Sequence, residues 1–262
     1  MDWIVDIHLN FSLCSVTLWT AVNIVDRYLH LQPLTRNKLQ QLGTSSLLIA
    51  SKLYDVSPPI VEELVGIAEG GGRDAEETGR EMVELEGDIL QKLEYDVCGV
   101  TAYHFLSRLF LVMGVDAEMR FLCKYYGERA LQEYDSLLFL PSLLAAGIFF
   151  TCRRALFLWR PEERVEYHDL WPSTLVSLTS FTISDLVQVD SFLTKHVGRD
   201  VKTASGRILN NAKKKYLTSS FMRVATIPTP PPVQPPSSSS SSLTSNSSTS
   251  SSLTQPSRRK RK

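Results

Sequence analysis

The chain has no cysteine pair close enough to clamp a metal and no excess of charge of either sign. Its four cysteines, Cys14, Cys98, Cys123 and Cys152, lie far apart, with no CxxC and no histidine at ligand spacing. That argues against a zinc module or a disulfide framework and leaves four reduced core cysteines as the expectation. Lysine plus arginine and aspartate plus glutamate each total 28, so no global field steers the protein to nucleic acid or an anionic membrane. The glycine run Gly70 to Gly72 lacks the GKS/T context of a phosphate loop. The five histidines are scattered, and no nucleophile has a base at recognisable spacing. Nothing here points to an enzyme, a metal or a cofactor. The longest apolar stretch, residues 137–150, is interrupted by Pro141 and Ser142 and falls short of the roughly 20 residues that span a bilayer. The opening MDWIVD carries acids where a signal peptide carries bases, and no small-residue cleavage site follows. A soluble intracellular protein is expected.

What is present is helical periodicity. From Asp2 to about Leu217 apolar residues recur at three- and four-residue steps, as in Leu18, Val22, Val25 and Leu29 or Met82, Ile89 and Leu93, without the alternation of a half-buried strand. Turn signals fall between the stripes at Pro33, Pro58-Pro59, Gly70 to Gly72, Gly99 and Pro172. Two runs stand out, Ser46-Leu-Leu-Ile-Ala-Ser51 and Ser142-Leu-Leu-Ala-Ala-Gly147. Both are uncharged, small and leucine-rich, which suits the centre of a helical bundle. Two bundles, each around one central helix, are one reading; chance likeness between leucine-rich helices is the other. After Ala225 come six prolines between Pro228 and Pro236, then a serine-rich run, with too little apolar surface to offset the entropy of ordering. The expected domains are 1–98 and 99–217, followed by a disordered tail over 218–262. The tail ends in Arg258, Arg259, Lys260, Arg261 and Lys262, a cluster that suits a nuclear-import receptor or, alternatively, a solubilising or weakly nucleic-acid-binding end.

Two charges do not fit a plain core. Lys52 closes a run, residues 39–51, with no charge at all, and Glu86 falls in line with Met82, Ile89 and Leu93. A buried charge costs several kcal/mol unless paired, so each must snorkel to the rim or meet a partner. Asp26, beside apolar residues, poses the same question.

At these residues the sequence resembles the cyclin box of A- and B-type cyclins. The likeness runs through Asp2-Trp3, AVNIVDRYL (residues 21–29), KLQQLGTSSLLIASKLYDVSPP (38–59), ILQKLEYDV (89–97), YHFLSRLF (103–110), FLPSLLAAG (139–147), WPSTL (171–175) and the KKKY of the last helix. It covers about 215 residues in unbroken order. The resemblance implies an all-α protein of two consecutive five-helix cyclin-box bundles with a disordered C-terminal tail. It also implies a cyclin-dependent protein kinase as partner, bound and activated for G2/M control, with Lys52 and Glu86 hydrogen-bonding the kinase's C-helix region and Leu53, Tyr95 and Val97 supplying apolar contact. A second family site, a shallow groove for Arg-x-Leu peptides of substrates or inhibitors, maps to Trp3, Asp6, Arg36, Leu39 and Gln40. Asp6 would pair the peptide's arginine there, and Trp3 and Leu39 would hold its leucine. The basic end of the tail suggests a nuclear location, with the cytoplasm as a second one.

The family pattern has an arginine ahead of the Asp-Trp pair that holds the aspartate of the DR segment; the sequence begins at Met1, so Asp26 is expected to lack that partner. The RxxL string Arg36 to Leu39 lies in a predicted helix and is expected to be inaccessible. A non-activating scaffold or transcription-type double cyclin fold is the competing function, and would need a basic face that residues 1–217 do not show.

Overall fold

The computed structural model describes residues 1–69, 75–160, 167–199, 201–202 and 208–233. The two uncharged runs set its layout. The first lies in helix α3 (Leu39–Tyr54), where every residue from Leu42 to Ser51 is buried. A helix apolar on all sides has no face to give to water, so neighbours must enclose it. Helices α1 (Asp2–Asn10), α2 (Ser15–Leu31), α4 (Val61–Glu69) and α5 (Ala75–Lys92) do so. The second run lies in α8 (Pro141–Trp159), enclosed by α6 (Ala102–Met113), α7 (Ala117–Ala130) and α10 (Ile183–His196), with α9 (Ser173–Thr179) contributing Leu175 to the same core. The result is two successive five-helix bundles, each with its third helix at the centre. Helix α11 (Asn211–Leu217) follows a two-residue antiparallel pair, β1 (Val201–Lys202) with β2 (Ile208–Leu209), Val201 facing Leu209. Two residues are too few to display an alternation, so periodicity gives no sign of this pair.

Close approach at glycines locks the elements together. A Cβ on Gly147 would run into Val189, so α8 and α10 meet nearly backbone to side chain. A Cβ on Gly127 would run into the ring of Trp19, which reaches from α2 into the second core. In return Ala212 of α11 joins the first core. Polar contacts seal the seam. The Asp2 carboxylate accepts the Asn211 backbone N–H at 2.9 Å, and buried Glu128 accepts from Lys215 Nζ at 2.6 Å and from the Tyr216 hydroxyl at 2.7 Å. Buried charges survive when paired this directly. Burial, helped by the Lys215 ammonium, pushes neighbouring His8 down to about 4, so it is neutral at physiological pH.

Three expectations need correction. The tail does not begin at residue 218: helical turns Ser219–Phe221 and Val224–Thr226 bury Val224 and Ile227 against the second bundle, and the chain stays packed through Val233. Proline-rich composition suggested disorder, but an extended proline segment has no N–H groups to satisfy and can lie on a surface cheaply. The cysteines are not all in the core; Cys123 and Cys152 are buried, whereas Cys14 and Cys98 are exposed at helix-flanking positions. Finally, α8 continues past residue 150 to Trp159 and is long and apolar enough by length and composition to cross a membrane, but most of it is buried inside the second bundle.

Two substitutions test this packing. Gly147→Ala is expected to cost about 1–3 kcal/mol of unfolding free energy by overpacking against Val189. Glu128→Ala, which strands the Lys215 ammonium, is expected to cost about 3–5 kcal/mol. Urea titration followed by circular dichroism measures both.

Candidate partner-binding face and peptide groove

The pairing of α3 with α5 builds the first candidate site. Ser45 Oγ donates to the Met82 carbonyl at 3.3 Å and Gln41 Nε2 to Glu81 Oε2 at 2.5 Å, fixing the register of the two helices. Two turns on from Ser45, Lys52 comes level with Glu86, and Lys52 Nζ donates to Glu86 Oε1 at 2.6 Å. The lysine side chain is 49% exposed and the glutamate 14%. The two charges that needed partners therefore have each other, at the rim of the bundle. Next to them Leu53 is 43% exposed; Val56 and Ile60 after α3, and Val83 on α5, are exposed too. Val83 also lines a hollow of about 770 Å3 between α4 and α5, with Val61 and Val65 on its apolar side and Glu62, Glu76, Arg80 and Glu84 around it.

Tyr95 stands just beyond α5, 69% exposed. The chain turns there through two left-handed residues, Glu94 (φ 53°) and Tyr95 (φ 60°), a conformation that costs a bulky L-residue roughly 1–2 kcal/mol. A Tyr95 N–H bond to the Leu90 carbonyl at 2.8 Å holds the turn, and Arg27 clamps the next residue, donating to the Asp96 carbonyl at 2.6 Å and pairing its carboxylate at 3.1 Å. Val97 is not on this face: it is 6% exposed and belongs to the first core. Its proposed apolar contact with a partner is replaced by a packing role, because the turn at residues 94–95 points the chain back inward.

The second candidate site is a groove of about 590 Å3 where α1, α2 and the start of α3 meet. All five residues expected there, Trp3, Asp6, Arg36, Leu39 and Gln40, line it, over a floor that includes Ile4, Val25 and Leu29. Trp3 Nε1 donates to Thr44 Oγ1 at 3.5 Å. Arg36 and Leu39 are both exposed, in the helical turn Arg36–Lys38 and at the first residue of α3. The expectation that this RxxL string is inaccessible is thus corrected for its side chains, while its backbone is helical. Asp26 also lines the groove. Burial pushes its carboxyl up to about 6, opposed by the positive Met1 amino group.

Three positioning residues gave no warning in the sequence. Asp2 sits beside the groove residue Trp3 yet accepts from the N-terminus of α11, Asp96 steadies the Tyr95 turn through Arg27, and Asp55 accepts from Cys14 N at 2.7 Å and Thr17 Oγ1 at 2.6 Å at the start of α2. Each acts on an element far along the chain, so no local spacing could mark it. Among the described residues no three His, Cys, Asp or Glu side chains converge as a metal site. Gly70 to Gly72 and the basic cluster Arg258, Arg259, Lys260, Arg261 and Lys262 lie outside the described residues.

An acid whose folded pKa is raised weakens the fold in full above that pKa, and the penalty fades as pH falls from there to the unfolded value. Asp26→Asn is therefore expected to raise the melting temperature above pH 6 and to change it little below pH 4. Thermal melts at pH 4 and pH 7.5 measure this.

Comparison with known proteins supplies the rest. Residues 1–98 match the family model for the cyclin N-terminal domain and residues 100–230 that for the cyclin C-terminal domain. Cyclin-B1-3 of Arabidopsis thaliana is 35% identical over 74% of this chain and 43% of its own length. The G2/mitotic-specific cyclin-B of Dictyostelium discoideum is 32% identical over 87% of this chain and 48% of its own length, and cyclin-A3-2 of Oryza sativa subsp. japonica is 33% identical over 88% and 57%. The chain thus spans about half the length of the curated relatives it matches. A solved viral cyclin from herpesvirus saimiri superposes with a TM-score of 0.60 at 23% identity, over 74% of this chain and 82% of that one, a likeness of fold. The two tandem bundles, matched in order by the N- and C-terminal domain models over residues 1–98 and 100–230, make the chain a member of the cyclin family.

Proposed function

We propose that this chain is the regulatory subunit of a cyclin-dependent protein kinase, acting at the G2/M transition. The observation that carries the reading is the α3–α5 rim, where Lys52, Glu86, Leu53 and Tyr95 gather hydrogen-bonding charges and apolar surface on one side of the first bundle. Relatives at 31–35% identity include proteins described as G2/mitotic-specific cyclins, which supports the timing. The chain itself performs no chemistry in this role.

The mechanism is a population shift. By docking on the small lobe, the rim favours the kinase conformation whose C-helix is swung inward, where a kinase lysine and glutamate pair and orient the ATP phosphates. Turning a mostly inactive kinase almost wholly active takes roughly 5 kcal/mol of differential binding. Lys52 and Glu86 fix orientation while Leu53 and Tyr95 bury area. Their mutual bond in the free chain keeps both charges satisfied until kinase groups share or replace it, so the rim is pre-shaped instead of assembled on binding. The groove selects substrates or inhibitors bearing Arg-x-Leu, with Asp6 and Asp26 offering two carboxylates for the arginine, and Trp3 and Leu39 a slot for the leucine. The basic end at residues 258–262 delivers the protein to the nucleus through an import receptor.

Lys52→Ala or Glu86→Ala is expected to cost about 2–5 kcal/mol of kinase affinity, with helicity unchanged, because a pair at the rim, its lysine half exposed, stabilises a fold by about 0–1 kcal/mol. The exchange Lys52→Glu/Glu86→Lys keeps the internal pair and reverses what a partner meets. Pull-down and histone phosphorylation should fall for all three variants. Full activation by the exchanged variant would mean the charges never touch the kinase and would sink the proposal. Tyr95→Gly relieves a left-handed residue and is expected to raise fold stability by about 1 kcal/mol while weakening kinase binding, a divergence that urea titration and pull-down read separately.

A further inference from the structure

The C-terminal strap, residues 227–233, ends the described chain against the second bundle through a small set of contacts. Beneath it lies a nearly water-free ion pair: Asp190 is fully buried, and its Oδ1 takes Arg154 Nη1 and the Thr151 hydroxyl, the latter at 2.9 Å. The strap closes over this pair from above. Arg154 Nη2 donates to the Pro231 carbonyl at 2.5 Å, and the Val233 N–H donates to Asp190 Oδ2 at 3.0 Å. Ile227 and Pro230 are buried, whereas Pro231 and Pro232 are exposed.

Thr229 is the pin of this strap. Its hydroxyl lies beside the buried Tyr126 hydroxyl, for which no other polar partner is formed, and it presses so close to Gly198 that a Cβ there would sit 3.1 Å from Thr229 Oγ1. Tyr126 and Gly198 together crowd the space around Thr229 Oγ1. Arg154, which reaches the strap at Pro231, is already engaged by Asp190. Thr229 is also followed by Pro230, the minimal proline-directed acceptor, a pattern that otherwise occurs in this chain at Ser57-Pro58 alone.

We propose that Thr229 is a phosphorylation site for a proline-directed protein kinase, and that phosphate on it releases residues 227–233 from the second bundle. The step transfers the γ-phosphoryl group of ATP: the bond from Pγ to the bridging oxygen of ADP breaks, a bond from Pγ to Thr229 Oγ1 forms, and the hydroxyl proton passes to a base of the kinase. Reaching the hydroxyl requires the strap to lift. Four of its seven residues are prolines, without N–H groups to hold it down, so local opening is easier than opening of the helices beneath. Once added, a group of charge about −2 cannot return between Tyr126 and Gly198 without steric clash and desolvation, so the lifted state persists. Lifting uncovers Arg154 and Asp190 to water while leaving the α3–α5 rim intact. The proposal does not depend on which kinase the rim binds, because any proline-directed kinase with ATP can supply the phosphoryl group.

The test uses the full chain, a purified proline-directed kinase and ATP, with the phosphate located by mass spectrometry and amide hydrogen exchange followed before and after. A peptide of residues 222–236 and the Thr229→Val variant, which keeps the packing and lacks the acceptor, serve as controls. The expected result is phosphate on Thr229 of the wild type and exchange at Ile227, Thr229 and Val233 faster by roughly an order of magnitude, with peptides of α3 and α5 unchanged. Modification of the peptide but not of Thr229 in the folded chain would overturn the site. Phosphate on Thr229 with equal or greater protection of the strap would overturn the release.

Discussion

The fold turns on burying two helices whose central stretches carry no charge. Helices α3 and α8 carry uncharged stretches whose full circumference leaves water, and each additional apolar side chain so enclosed contributes about 1.5–3 kcal/mol to folding. One neighbouring helix cannot cover such a rod. Three or four can, and the surrounding helices are as amphipathic as that arrangement requires. Small residues at the contacts decide how tightly they close: Gly147 admits Val189, and Gly127 admits Trp19. Because Trp19 belongs to a first-bundle helix and Gly127 to a second-bundle helix, the same packing that builds each core also joins them.

The seam between the bundles adds direction to that adhesion. Apolar contact alone tolerates sliding, whereas buried charges tolerate one arrangement, since a displaced partner leaves the other unsatisfied. Asp2 at the entrance of α11 ties this helix to α1, and Glu128, shared by Lys215 and Tyr216, ties it to α7. The strap at residues 227–233 extends the same logic over the Arg154–Asp190 pair. Helix α11 is short and held between α1 and α7 on one side and the turns that follow it, Ser219–Phe221 and Val224–Thr226, on the other.

The surface features gain their character from this rigid base. Lys52 and Glu86 meet because α3 and α5 are locked in register two turns away, and their bond spares the free protein the cost of an unpaired, partly buried carboxylate. Tyr95 keeps a strained backbone and an exposed ring, a combination that core packing does not require and that matches surfaces held for contact. In the groove, Asp26 is raised by burial and faces a terminal amine.

Much of this was legible in the amino-acid order. The periodicity of Leu18, Val22 and Val25, the two uncharged runs and the proline and glycine breaks determine all-helical bundles with α3 and α8 at their centres, because apolar period and burial are tied by helix geometry. The anomalous charges Lys52 and Glu86, and the groove residues Trp3, Asp6, Arg36, Leu39 and Gln40, were likewise marked by type and by family resemblance. Tertiary structure alone decided that Lys52 and Glu86 pair with each other, that Val97 turns inward while Tyr95 turns out, that Cys14 and Cys98 face water, and that the proline segment after residue 218 lies packed on the second bundle. These outcomes depend on contacts between residues tens to hundreds of positions apart, such as Arg27 with Asp96 or Asp2 with Asn211. Local spacing encodes which face of a helix is apolar; which distant group that face will meet is fixed only when the whole chain closes around its cores.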